Sequence, residues 1–130
     1  MILQTTLSLA AAAAIINLWL AIRIGRVRGK EKIIHGDGGN PELIRRMRAQ
    51  SNFIENVPLA LILIGAIEAT GKGGDWLAIV GAVLMLARVS HAIGMDNPGG
   101  NAWRSIGVMV TMLTLIGLAV VAVLIAVGRM

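Results

Sequence analysis

Four side chains able to grip a small charged molecule fall within one short stretch: Arg45, Arg48, Asn52 and Glu55. On a helix of about 3.6 residues per turn, each residue advances about 100°. With Arg48 as origin, Arg45 lies at about +60°, Asn52 at about +40° and Glu55 at about −20°, so all four share a stripe about 80° wide. Gln50 falls at about 200°, on the opposite face. Two guanidiniums offer a fork that carboxylates accept in pairs. Glu55 can receive an ammonium or hold one of the arginines. This set suits recognition of an anionic polar ligand. The same residues also allow a plainer arrangement, with Arg48 ion-paired to Glu55 and Arg45 and Arg46 touching lipid phosphates.

The stripe gains its weight from its depth. The apolar run Val57 to Ile67 has 11 residues, too few to span a bilayer alone, so Asn52, Glu55 and Asn56 must sit at or within the membrane edge. Ionisable groups at that depth are costly and mark a site with a partner. Arg88 adds to the pattern, lying about two turns inside the end of its own apolar block and so at similar depth. A single arginine there can snorkel, but two helices with charge at matching depth point to a shared purpose. His91 is one turn beyond Arg88, where a histidine is more often packed or hydrogen-bonded than a ligand or base.

Other chemistries find no support. The chain has no cysteine, and its two histidines, His35 and His91, are far apart, so neither a disulfide framework nor a metal site is expected. Gly36-Asp37-Gly38-Gly39 lacks the Lys-Ser/Thr that completes a phosphate loop.

The elements that must position these residues are four apolar blocks in a chain of 130 residues, short enough for a single domain over 1–130. Hydrophobic residues make up 56% and charged residues 15%, with mean hydropathy +0.77. A soluble domain carries about 25% charge, so an all-α bundle of membrane-spanning helices is expected. The blocks are Ile2 to Ile22, Pro41 to Thr70, Trp76 to Met95 and Ala102 to Gly128. The first reaches about 31 Å and lacks a basic leader, which argues for a retained span and against a cleaved signal. Asn40 is the expected N-cap of the second, with Pro41 at its first position, and Asp75 the expected cap of the third. The spacing Gly65 to Ala69 permits close helix packing.

A formal charge of +5 raises the question of nucleic acid, but the charges are confined to short stretches between apolar blocks. Ten of the twelve lysines and arginines lie in or beside the first and third loops; only Lys72 and Arg129 lie opposite. This asymmetry predicts those loops in the cytoplasm and both termini outside, with membrane lipid and not nucleic acid as the surroundings.

The string Arg48-Ala49-Gln50-Ser51-Asn52-Phe53-Ile54-Glu55-Asn56-Val57-Pro58 resembles the signature of the MAPEG family, membrane-associated proteins in eicosanoid and glutathione metabolism, at every fixed position of Arg-Ala-Gln-x-Asn-x-x-Glu-x-x-Pro. Asn40-Pro41-Glu42 ahead of it, four helices over nearly the whole chain, and Gly25-Arg26-Val27-Arg28, similar to bacterial members, extend the likeness. The resemblance implies a homotrimer of four-helix subunits in a bacterial inner membrane. It places glutathione between neighbouring subunits near the cytoplasmic side. It assigns glutathione contacts to Arg45, Arg48, Asn52 and Glu55, with Gln50 reaching the adjacent subunit's site, Arg26 at the end of the first helix, and Arg88 at the family's arginine in helix three.

Two departures bear on activity. Animal members place tyrosines after the glutamate and along the end of helix three; this chain has Asn56, His91 and Met95. The family's catalytic arginine near the start of helix four has its nearest counterpart in Arg104, about two residues beyond the expected place. The implied function is transfer of the glutathione thiolate to an apolar or lipid electrophile, or reduction of lipid hydroperoxides, with Arg104 and His91 as candidates for favouring the thiolate. Alternatives are a non-catalytic binding or scaffolding trimer, and a small multidrug transporter. The transporter reading is weakened because Ile2 to Ile22 contains no acidic residue.

Overall fold

The computed structural model describes residues 2–130. Its elements are α1 (Gln4–Glu31), α2 (Pro41–Ala69), α3 (Asp75–Gly94) and α4 (Ala102–Ala126), with no strand among the described residues. All four helices are long and apolar enough to cross a membrane. In hydrocarbon a helix pairs its backbone groups within the segment, so apolar runs of this length fold this way.

The helix starts follow local chemistry. The Asn40 side chain accepts from the Leu43 amide at 3.0 Å, with Pro41 in the first turn, as expected. Asn101 does the same for the Arg104 amide at 3.1 Å. At α3 the cap is Gly74, with φ 138°, and Asp75 is instead the first helical residue, where its charge favours the helix N-terminus. The larger correction is at α1, which does not end with its apolar block at Ile22 but continues to Glu31. Arginine and lysine are good helix formers, and Arg28 and Lys30 in the last turn suit its negative end. The bilayer sets the length of the apolar stretch, not of the helix. Lys32, in the left-handed region at φ 56°, stops it.

α1 lies beside α2 and α3, and α4 beside the same two, while α2 and α3 meet across the middle; the backbones of α1 and α4 do not approach each other closely. Phe53, Val57, Ile64, Leu84 and Leu118 are among the buried residues that fill the centre. Glycines set the closest approaches. A Cβ on Gly107 would stand 2.5 Å from the His91 Cβ and 2.7 Å from the Ala87 carbonyl oxygen, and one on Gly94 would collide with the Arg104 backbone. The seam between α3 and α4 is therefore tight along their basic-loop halves.

Two polar ties fasten α1 at its ends. At the start, the Glu68 carboxylate accepts from the backbone amides of Thr5 and Thr6 at 3.1 and 3.0 Å. Near the other end, buried Arg23 donates to both oxygens of Asp96 in the turn after α3, and its guanidinium lies 4.8 Å over the Trp19 ring. Arg46 stands beside this pair, 3.8 Å from Asp96. Asp96→Asn leaves a buried guanidinium without its counter-charge, so the thermal midpoint of the detergent-solubilised protein should fall by the equivalent of about 1–3 kcal/mol. An unchanged midpoint would show the tie to be dispensable.

Candidate functional site

The predicted stripe forms on α2, and it faces outward from the chain. Arg48 and Glu55 are exposed, and Arg45 and Asn52 half-buried. Arg48 and Glu55 form no ion pair among the described residues, so the pairing in the plainer arrangement is absent. Arg46 does not join the stripe: it lies 3.6 Å from Glu42 and donates to the Arg23 carbonyl at 3.3 Å. The Arg45 Nε is buried without a hydrogen-bond partner.

Arg88 occupies a different position from the one its sequence depth implies for a ligand contact. It is 2% exposed, and both terminal nitrogens are engaged within the chain. Nη1 donates to Thr111 Oγ1 of α4 at 3.0 Å, and Nη2 donates to Asn52 Oδ1 of α2. The Thr111 hydroxyl donates in turn to the Gly107 carbonyl at 2.7 Å. One arginine thus joins three helices, and it meets the stripe through Asn52.

His91 is 3% exposed, packed against Gly107, with Nδ1 3.5 Å from Arg88 Nη2. A guanidinium only donates, so in this contact Nδ1 is the acceptor. The structure therefore gives His91 a place behind Arg88, enclosed by the α3–α4 seam, and not an open position facing a reactant. Arg104 is exposed in the first turn of α4, and its guanidinium has no hydrogen-bond partner among the described residues. Arg26 is likewise exposed, on the basic extension of α1. Gln50 points away from the stripe, as its angle predicts, and donates to Asn17 of α1 at 3.3 Å.

An apolar groove of about 420 Å³ opens between α3 and α4, with Ile93, Trp103 and Ile106 among its lining residues. It adjoins the first turn of α4, where Arg104 begins. Sequence reasoning missed Thr111, the third member of the Arg88 network. A threonine in an apolar block carries no signal of its own, because its hydroxyl can be satisfied one turn back along the helix.

Residues 6–124 match the MAPEG family, spanning the stripe and nearly all of the four helices. The chain belongs to this family. It is also similar to the inner membrane protein YecN of Escherichia coli K12, being 30% identical over 107 residues that cover 82% of this chain and 81% of that protein. The YecN protein of E. coli O6:H1 matches to the same extent. As a MAPEG-family membrane protein, the chain carries the Arg45, Arg48, Asn52 and Glu55 stripe on α2 and has no tyrosine. Chemically, the stripe offers fixed positive charge at Arg45 and Arg48, a half-open amide, and one carboxylate. Such a set matches a ligand bearing more than one anionic group and one cation.

Proposed function

We propose that this membrane protein binds glutathione at the basic end of the bundle and delivers its thiolate to apolar electrophiles, or uses it to reduce lipid hydroperoxides. The observation that carries the proposal is the unpaired state of Arg48 and Glu55, two opposite charges on one exposed face. Left to themselves at a membrane edge, such groups would gain by closing on each other. Glutathione has two carboxylates, an ammonium and a thiol, so it can engage the arginines and Glu55 together.

A stripe that faces outward needs a second wall. A homotrimer supplies it, with glutathione held between neighbouring copies. The asymmetry of basic residues favours the first and third loops in the cytoplasm and both termini outside. The likeness to YecN favours an inner membrane. Arg26 and the basic first loop would draw the anionic tripeptide to this opening.

Chemistry at the sulfur needs a free cation. A thiol with pKa near about 8.5 is mostly protonated at neutral pH, and each unit by which it is lowered requires about 1.4 kcal/mol. Arg104 is suited to this because its guanidinium is exposed and uncommitted, whereas His91 acts behind it by supporting Arg88. The apolar groove beside Trp103 offers the electrophile a place within reach of α4. The thiolate sulfur attacks the electrophilic carbon, the leaving group departs with the bonding pair, and the thiol proton passes to solvent. Holding both reactants together supplies most of the acceleration.

Glutathione at about a hundred times its Kd should stabilise the folded protein by about 2.7 kcal/mol, seen as a higher thermal midpoint in detergent. A midpoint indifferent to glutathione would refute the site. A chromogenic electrophile then tests turnover: binding without conjugation would leave a binding trimer and remove the transferase.

A further inference from the structure

We propose that Arg88 and Thr111 are positioning residues that fix which end of the Asn52 amide faces the ligand, making Asn52 a donor to an anionic group and not an acceptor for the ammonium. This rests on the glutathione site proposed above.

A primary amide has two faces of opposite character: a carbonyl oxygen that accepts and an NH2 that donates. Nothing in the amide itself decides which one a ligand meets. Here the neighbour decides. A guanidinium carries only donors, so the atom that meets Arg88 Nη2 must be Asn52 Oδ1. The NH2 is thereby turned to the other side, and Nδ2 donates to no group among the described residues. Asn56 reinforces this: its own NH2 donates to the Asn52 backbone carbonyl at 2.8 Å and approaches Oδ1 at 3.5 Å, so a second donor addresses the same oxygen.

Arg88 can hold this posture only because it is itself held. Its Nη1 is anchored to Thr111, which is fully buried and tied back to the Gly107 carbonyl. Donation runs outward from Arg88 on α3, to Thr111 of α4 on one side and to Asn52 of α2, in the stripe, on the other. This sets the polarity of the stripe. Arg45, Arg48 and the Asn52 NH2 all present N–H groups, and Glu55 is the lone acceptor. A ligand must therefore set its ammonium at Glu55 and its anionic groups on the other three. The reverse orientation would face Asn52 N–H against ammonium N–H, which rejects it.

Two substitutions test this in the purified, detergent-solubilised full chain, with glutathione titrated by calorimetry and the thermal midpoint recorded alongside. Asn52→Asp keeps the shape and still pairs with Arg88, so the fold survives, but it replaces the NH2 with a second anionic oxygen. Glutathione affinity should fall by about fiftyfold or more, with the midpoint unchanged or raised. Thr111→Val should weaken binding by about five- to thirtyfold, Thr111→Ser should restore it, and Thr111→Val should add nothing further once Asn52 is alanine. Wild-type affinity in Asn52→Asp would overturn the donor assignment while leaving the glutathione site in place. A Thr111→Val protein with a lower midpoint but unaltered affinity would overturn the positioning role. Failure of the wild-type protein itself to bind glutathione would overturn the site and this inference with it.

Discussion

Glutathione affinity should drop by about a hundredfold or more when Glu55 is replaced by alanine, and by a similar factor for Arg48→Ala, with calorimetry in detergent as the measurement. The size reflects the environment. Glu55 lies two residues before the apolar run Val57 to Ile67 begins, so charge there is only partly relieved by water. Removing Glu55 leaves the ligand ammonium beside two arginines with no counter-charge. Removing Arg48 strips a carboxylate of its fork and leaves it near Glu55. Each variant thus loses an attraction and gains an unrelieved like charge. Both residues are exposed and unpaired in the chain itself, so the fold should be retained and the midpoint without ligand should hardly move. Unchanged affinity in either variant would remove the stripe from the binding site.

Gly107→Leu should yield no well-folded protein, scored as loss of a monodisperse peak and of a cooperative thermal transition. A Cβ alone at this position would lie 2.5 Å from the His91 Cβ and 2.7 Å from a backbone oxygen of α3. Neither atom is the far end of a flexible side chain, so the helices must separate. Overpacking by one or a few carbons costs about 1–3 kcal/mol when a core can adjust. Here adjustment also pulls Thr111, one turn along the same face, away from Arg88, leaving a buried guanidinium short of an acceptor. Gly117→Ala is the control, because nothing lies within 4 Å of a Cβ there. It should fold as the wild type does.

The stripe was legible in the sequence because it is local: one helix, a fixed angle per residue, and an apolar run whose shortness betrays its depth. The four spans were legible for the same reason, since burial in hydrocarbon shows as composition. The partners of these residues were not. Arg23 and Asp96 are 73 positions apart, and Thr111 and Arg88 are 23 apart on different helices. Such meetings are decided by how the helices cross, which no period along one of them records. Arg88 shows the difference well. Its depth is readable, but whether it faces a ligand or grips Asn52 depends on the rotation of α3 against α2 and α4. The extension of α1 to Glu31 was hidden because an apolar block reports the bilayer and is silent on a helix that leaves it.

The Glu68 tie bears on how the chain enters the membrane. When α1 first spans, the amides of Thr5 and Thr6 have no acceptor within their own helix, and the carboxylate that will receive them lies some sixty residues later in synthesis. It lies at the far end of α2, opposite the basic loop. There the carboxylate meets the positive end of α1, which favours an anion. The tie therefore closes α1 and α2 into one hairpin at the end opposite their connecting loop.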